Sequence, residues 1–269
     1  MSELRDYAAA SVRVARRSLR KGRGGGREER LVFVVGCPRS GTTFLGGALG
    51  ALPGFVDLGE VTPWKAALPA LYAQPAADTA PQLRRILERV RALGLALGLR
   101  GVEQTPETAH LLVPALAAYP DAVAVHSLRD GRDVVCSLLE RGWLSAAHGG
   151  ADDAGLAYGP HARFWVEPER REEFEAASDA RRCAWAWRRY VEAARSAARE
   201  RTLEVRYESL AGEAERLAAF LGVDPEPLHA ALDGFHDRSV GRWRRDLDAE
   251  QLAEVEAEAG DLLAELGYA

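Results

Sequence analysis

The sequence predicts an α/β protein of three layers, α/β/α, with a central parallel sheet, and three observations carry that expectation. Short apolar, β-branched runs alternate with longer stretches of helical periodicity, the pattern of parallel strands joined by crossover helices. The first run, LVFVV at 31–35, leads directly into the glycine-spaced octet GCPRSGTT and then TTFLGGALGAL, with apolar residues at roughly helical spacing. That order is strand, glycine loop, helix. The chain of 269 residues is also long enough for a full core in one large domain or two small ones.

Taken in order, residues 1–30 depart from the rest, with nine Arg or Lys against four Asp or Glu, and end in RKGRGGGREER. They predict a basic helical stub and flexible arm without the apolar content to fold alone, open to contact with a membrane surface or nucleic acid. Residues 31–269 predict a single domain. Its strands are expected at 31–35, around 55–58, at 101–103, at 122–128 and at 203–207, and its helices at 81–99, 132–140, 179–200, 212–221 and 248–266. Glycines, prolines and mixed charges at 144–178 break the alternation and predict a long excursion of the kind that forms lids or substrate loops.

Composition narrows the function. A formal net charge of −5 argues against a general nucleic-acid binder. No run of about 18 apolar residues is present and no charged-then-apolar leader opens the chain, so a cytoplasmic protein without a transmembrane segment is expected. The three cysteines, Cys37, Cys136 and Cys183, are too few and too scattered for a disulfide framework or zinc cluster. Only Lys21 and Lys65 are lysines; every other basic side chain of this kind is arginine.

The octet is read as an anion cradle. Gly36 and Gly41 allow tight turning and close approach, while the amides of Thr42 and Thr43 open a helix whose dipole favours negative charge. Kinase and ATPase loops carry a lysine where this chain has Thr42, and the nearest cation here is Arg39. A second anion site is expected in HSLRDGRDVVCSLLERG, 126–142: Arg129 at a strand's carboxyl end and Ser137 two turns into the next helix suit another phosphate. The plainer alternative is a solvated Arg129–Asp130 ion pair.

PRSGTT after one strand, RDGRDVVCS after a later one and VRYESL after another resemble the sulfotransferase family, in that order and from about residue 31 to the C-terminus. The motifs are similar to relatives of bacterial type and nearest the tyrosylprotein and glycan branch. The resemblance implies a P-loop-like phosphosulfate loop, 3′-phosphoadenosine 5′-phosphosulfate (PAPS) as donor, PAP as product, and no metal. It assigns Arg39, Ser40, Gly41, Thr42 and Thr43 to the 5′-phosphosulfate, and Arg129 with Ser137 to the 3′-phosphate. It puts Tyr207 beside the adenine and Phe44 where cytosolic relatives stack a tryptophan. SVGRWRRDL, 239–247, resembles the late basic loop closing over the nucleotide, with Arg242, Trp243 and Arg244 as candidates.

The resemblance also implies a base. Cytosolic relatives carry Lys-Thr-His after the third strand, whereas EQTP at 103–106 puts Gln104 for the lysine and Pro106 for the histidine. Glu60, in FVDLGEVTPWK, resembles the catalytic glutamate of the tyrosylprotein and glycan branch, with Asp57 as a rival carboxylate. Arg39 then acts on the sulfuryl group alone, or Lys65 replaces the missing charge, or activity is weak or absent. His126 is expected in the core; His110, His148 and His161 are spare bases. The expected acceptor is a small-molecule, lipid or glycan hydroxyl or amine, not nucleic acid. Trp64, Tyr72, Tyr158, Phe164 and Trp165 are candidates to wall its pocket. Trp185 and Trp187, two apart on one helix and hence on different faces, are read as serving the core on one side and a partner on the other. The alternatives are a nucleotide-binding protein of the same fold without turnover, and a P-loop kinase. The sequence leaves the oligomeric state open.

Overall fold

The computed structural model describes residues 2–21, 26–72, 74–145 and 170–268. Five parallel strands form one sheet: β1 (Val32–Val35), β2 (Phe55–Gly59), β3 (Arg100–Glu103), β4 (Val123–Leu128) and β5 (Thr202–Arg206), in the order β2-β3-β1-β4-β5. The chain therefore leaves β1 toward β2 on one side and later returns to β4 on the other. That reversal between β1 and β4 is the place where open α/β sheets bind ligands, beyond the strands' carboxyl ends.

Side chains alternate between two covered faces, which is why β1 is apolar at every position. Phe33 and Val35 join Val56, Leu58, Ala124 and Leu128 in a core under α1 (Ser2–Ser18), α3 (Thr62–Leu71), α4 (Ala76–Leu93), α5 (Leu112–Ala118), α6 (Gly131–Arg141), α8 (Asp179–Arg195) and α12 (Ala249–Glu265). Val32 and Val34 join Val102, Val125 and Val205 in the other, under α2 (Thr42–Ala51), α9 (Ala214–Leu221) and α10 (Pro225–Leu232). The three-layer α/β/α fold with a parallel sheet is the one the sequence predicts.

Several boundaries and faces differ from expectation. The helix expected at 81–99 runs from Ala76 to Leu93, with Pro81 inside it. At its end Gly94 is closely packed, since a Cβ there would lie 2.7 Å from Val14, and Leu95 takes the left-handed turn at φ 57°. The Ala96 amide then bonds the Arg91 carbonyl at 2.8 Å, closing the helix end. The helix expected at 179–200 ends at Arg195. Trp185 and Trp187 are both fully buried: Trp187 lies against Gly131 at the start of α6, and Trp185 packs edge-on with Phe174 at 5.5 Å. Neither tryptophan is presented to a partner.

The basic N-terminal segment contributes Tyr7, Ala10 and Val14 to the larger core. Its Arg13 and Arg17 donate to the carbonyls of Glu60 and Asp57, each at 2.9 Å, so α1 braces the end of β2. The glycine stretch at 22–25 lies outside the described residues, as does 146–169 of the expected excursion; α7 (Arg171–Ala176) and residues 170–178 follow it. Among the described residues, no helix is long and apolar enough to cross a membrane.

Candidate functional site

The glycine loop between β1 and α2 is pinned to the neighbouring strands. A Cβ on Gly36, at φ 151°, would stand 2.5 Å from the Ser127 carbonyl of β4; one on Gly41, at φ 85°, would meet the Tyr207 ring at 2.6 Å. Only glycine permits both approaches. Arg39 adopts φ 77° although it carries a side chain, a conformation that surrounding bonds must enforce. Arg129 Nη1 donates to its carbonyl at 2.8 Å, and its own Nε donates to Ser137 Oγ at 2.9 Å. Ser127 Oγ holds the next carbonyl, that of buried Ser40, at 2.6 Å. No side chain caps the start of α2, so the first-turn amides are left for an anion.

The RDGRD motif builds the other wall. Asp130 caps α6 through the Arg132 amide, and buried Asp133 accepts from the amides of Gly241 at 2.7 Å and Trp243 at 3.0 Å. Those two bonds dock the 239–247 loop. Arg129, almost fully buried, reaches the Ser239 carbonyl with Nη2 at 2.8 Å, lies 4.4 Å over the Tyr207 ring, and keeps its Nε buried with no partner. A buried guanidinium nitrogen without an acceptor is costly unless a ligand satisfies it. Trp187 Nε1 donates to the Arg129 carbonyl at 3.0 Å, so the core fixes this arginine from below.

A pocket of about 380 Å³ opens between these walls, and both motifs line it: Arg39, Gly41, Thr42, Thr43 and Phe44 from the first, Arg129 and Ser137 from the second, with Tyr207 and Arg242. Trp243 and Arg244 are not among its lining; the guanidinium groups of Arg132 and Arg244 lie 4.0 and 4.5 Å from the centre of the Trp243 ring. Sequence reasoning missed Phe235, which joins Phe44 at 5.5 Å and Tyr207 at 4.9 Å in an aromatic wall, and missed Glu140 and Ser239. Phe235 gives no signal because it follows α10 in a stretch without periodicity. Asp133 had one, an acid three residues past a helix-capping aspartate.

The carboxylate candidates stand elsewhere on the same sheet edge. Glu60 does not line the pocket; it follows β2, two strands from β1 and so about 10 Å of sheet away. Lys65, buried, bonds Glu60 Oε2 at 2.9 Å and lies 3.6 Å from Glu107. The rival Asp57 is committed: Arg17 pairs with it at 2.8 Å, and the Gly59 amide and Gln104 Nε2 donate to it at 2.6 and 3.3 Å. Gln104 is wedged on Gly46 of α2, where a Cβ would meet its Oε1 at 2.7 Å. Glu103, fully buried, accepts from the Thr105 amide and Thr108 hydroxyl; burial pushes its carboxyl up to about 8. Thr105 Oγ1 in turn accepts the Val61 amide, next to Glu60, at 3.1 Å.

The remaining predicted side chains sort by burial. Trp64, expected at the acceptor pocket, is wholly buried and packs on Phe33 at 5.9 Å, because its helix turns that face onto the sheet. His126 is in the core, as predicted, and contacts Glu204 at 3.1 Å. Tyr72 is half-buried beside His110, whose imidazole is lowered to about 3 by burial and is a correspondingly weak base. His148, Tyr158, His161, Phe164 and Trp165 lie outside the described residues.

No protein-family model and no curated protein matches the chain. Among solved structures it is similar to the sulfotransferase domain from the curacin biosynthetic pathway, with a TM-score of 0.53 and 15% identity over 88% of this chain and 98% of that one. Weaker similarity extends to the sulfotransferase domain of the Synechococcus olefin synthase, at TM-score 0.47 and 15% identity over 89% and 97% of the two chains. A mouse sulfotransferase complexed with PAP gives 0.42 and 13% over 87% and 86%. The chain has the sulfotransferase fold.

Proposed function

We propose that the protein transfers a sulfuryl group from PAPS to a hydroxyl or amine of a small-molecule, lipid or glycan acceptor and releases PAP. The observation that carries this reading is the convergence of two motifs ninety residues apart in one pocket at the sheet's switch point, with Arg39 Nε on Ser137 Oγ and Arg129 on the Arg39 carbonyl. The donor set fits a nucleotide with anionic groups at both ends: uncapped amides with Arg39 on one side, and the unpartnered Arg129 Nε with Ser137 and Arg242 on the other. Phe44, Tyr207 and Phe235 supply an apolar wall for the base.

When bound, the nucleotide would supply the activated sulfuryl group and, in its 5′-phosphate, the leaving group from which that sulfuryl group parts as it passes to the acceptor. Arg39 and the α2 amides stabilise the charge developing on that phosphate without needing to reorganise. Glu60 takes the acceptor's proton on its carboxylate, and Lys65 Nζ, 2.9 Å from Oε2, orients it. Glu107 lies 3.6 Å from the same ammonium and helps fix its position. Gln104 brings no charge, and its amide nitrogen is spent on Asp57. That feature supports a second reading, a nucleotide-binding protein without turnover.

Calorimetric titration with PAP in chelator, and separately with ATP and magnesium, tests the donor assignment. Metal-independent binding of PAP that weakens on removal of its 3′-phosphate is expected; preference for ATP with magnesium would overturn it. Incubation with PAPS and simple phenol, alcohol and amine acceptors then separates the readings, since the second predicts PAP binding with no sulfated product.

A further inference from the structure

Glu140 is a carboxylate in a pocket that otherwise presents cations and hydroxyls. It stands three residues beyond Ser137 on α6, and the two side chains line the pocket together with Arg39 and Arg242. Arg242 grips it with both prongs: Nη1 donates to Oε2 at 3.1 Å and Nη2 to Oε1 more closely, while Nε donates to Asp246 at 2.6 Å. The fork that suits a phosphate is thus filled by a carboxylate of the chain itself. Hydrogen bonds from Arg242 hold the Glu140 carboxyl below its usual range, and Arg39 lowers it further, so its negative charge also sits in the field of the loop arginine.

Resting on the nucleotide reading above, the geometry points to Glu140 as an internal anion that competes with the ligand's 3′-phosphate for Arg242 and thereby sets the protein's preference between doubly and singly phosphorylated nucleotides. The exchange requires little movement. Glu140 is 58% exposed and swings into solvent by side-chain rotation alone, whereas Arg242, 19% exposed, stays tethered by Asp246. A phosphate entering beside an undisplaced Glu140 would meet like charge, so the carboxylate's departure is part of the binding equilibrium. Asp246 acts in the opposite sense. It is not among the pocket's lining and holds the arginine in place for either anion.

The test compares Glu140→Gln, Asp246→Asn and the unaltered protein in titrations with PAP and with AMP, which lacks the 3′-phosphate. Glu140→Gln is expected to bind PAP about tenfold more tightly and AMP by a clearly smaller factor, since the charge-assisted competitor for Arg242 has been weakened. Asp246→Asn is expected to bind PAP more weakly. Equal PAP affinity in Glu140→Gln and the unaltered protein overturns the inference while leaving the nucleotide reading intact. Equal tightening for PAP and AMP, or tightening in both variants, overturns the assignment to the 3′-phosphate. Failure of all three proteins to bind PAP overturns the nucleotide reading and the inference with it.

Discussion

Arg39 combines two demands that ordinarily conflict, a left-handed backbone at φ 77° and a long cationic side chain. A non-glycine residue pays about 1–2 kcal/mol for that conformation. Arg39→Gly should therefore keep or slightly raise thermal stability relative to Arg39→Ala while both lose PAP binding by tenfold or more. Equal melting temperatures for the two variants would count against stored strain, and near-normal PAP affinity in either would remove Arg39 from the site. Asp133 makes a complementary case, because it is not part of the pocket's lining yet fixes the loop that carries Arg242. Asp133→Ala leaves the amides of Gly241 and Trp243 without their acceptor and should weaken PAP binding several-fold while adenosine, which lacks both phosphates, is little affected.

At the scale of elements, the strands were legible because burial on both faces forces uninterrupted apolar runs, and the two anion motifs were legible because their glycines and arginines break those runs at fixed places. Helix ends and faces were not, since they depend on what lies alongside. Leu95 rather than Gly94 takes the left-handed position, with Gly94 packed closely on Val14 of a distant helix, and Trp64 reads as an acceptor-pocket aromatic until its helix is docked on Phe33. The N-terminal helix was expected, but its docking was hidden for the same reason: three modest apolar residues among many arginines become core once α1 packs on α4. Gly94→Ala should test that docking. Its Cβ would lie 2.7 Å from Val14 Cγ1 and 2.8 Å from the Val90 carbonyl, so a loss of about 1–3 kcal/mol is expected in denaturant unfolding. Val14→Ala in the same chain should recover part of that loss, and strict additivity of the two substitutions would deny the contact.

Across the whole molecule, the carboxyl edge of the sheet is divided between a cationic, aromatic half at β1, β4 and β5 and an acidic half at β2 and β3. The acidic half is anchored by Glu103, whose fully buried carboxyl is pushed up to about 8, first by burial and further by the charge of Glu60, against the lowering effect of Thr105 and Thr108. Between the ordinary value of 4.5 and about 8, the folded chain keeps a proton that the unfolded chain has released. Stability from this group is therefore fully present below the unfolded value and is lost as pH rises through the folded one, a change of a few kcal/mol. Glu103→Gln keeps an acceptor for the Thr105 amide and a partner for the Thr108 hydroxyl but cannot titrate. Urea unfolding at pH 5 and pH 9 should show the unaltered protein losing more stability than the variant over that interval. Parallel losses in the two proteins would mean that Glu103 is already ionised at neutral pH. The consequence reaches the proposed chemistry, because Glu103 orients Thr105 and, through it, the Val61 amide beside Glu60. Ionising it adds a second negative charge near the base while loading the turn that positions it, so a protonated Glu103 is the state in which Glu60 is held with least electrostatic strain.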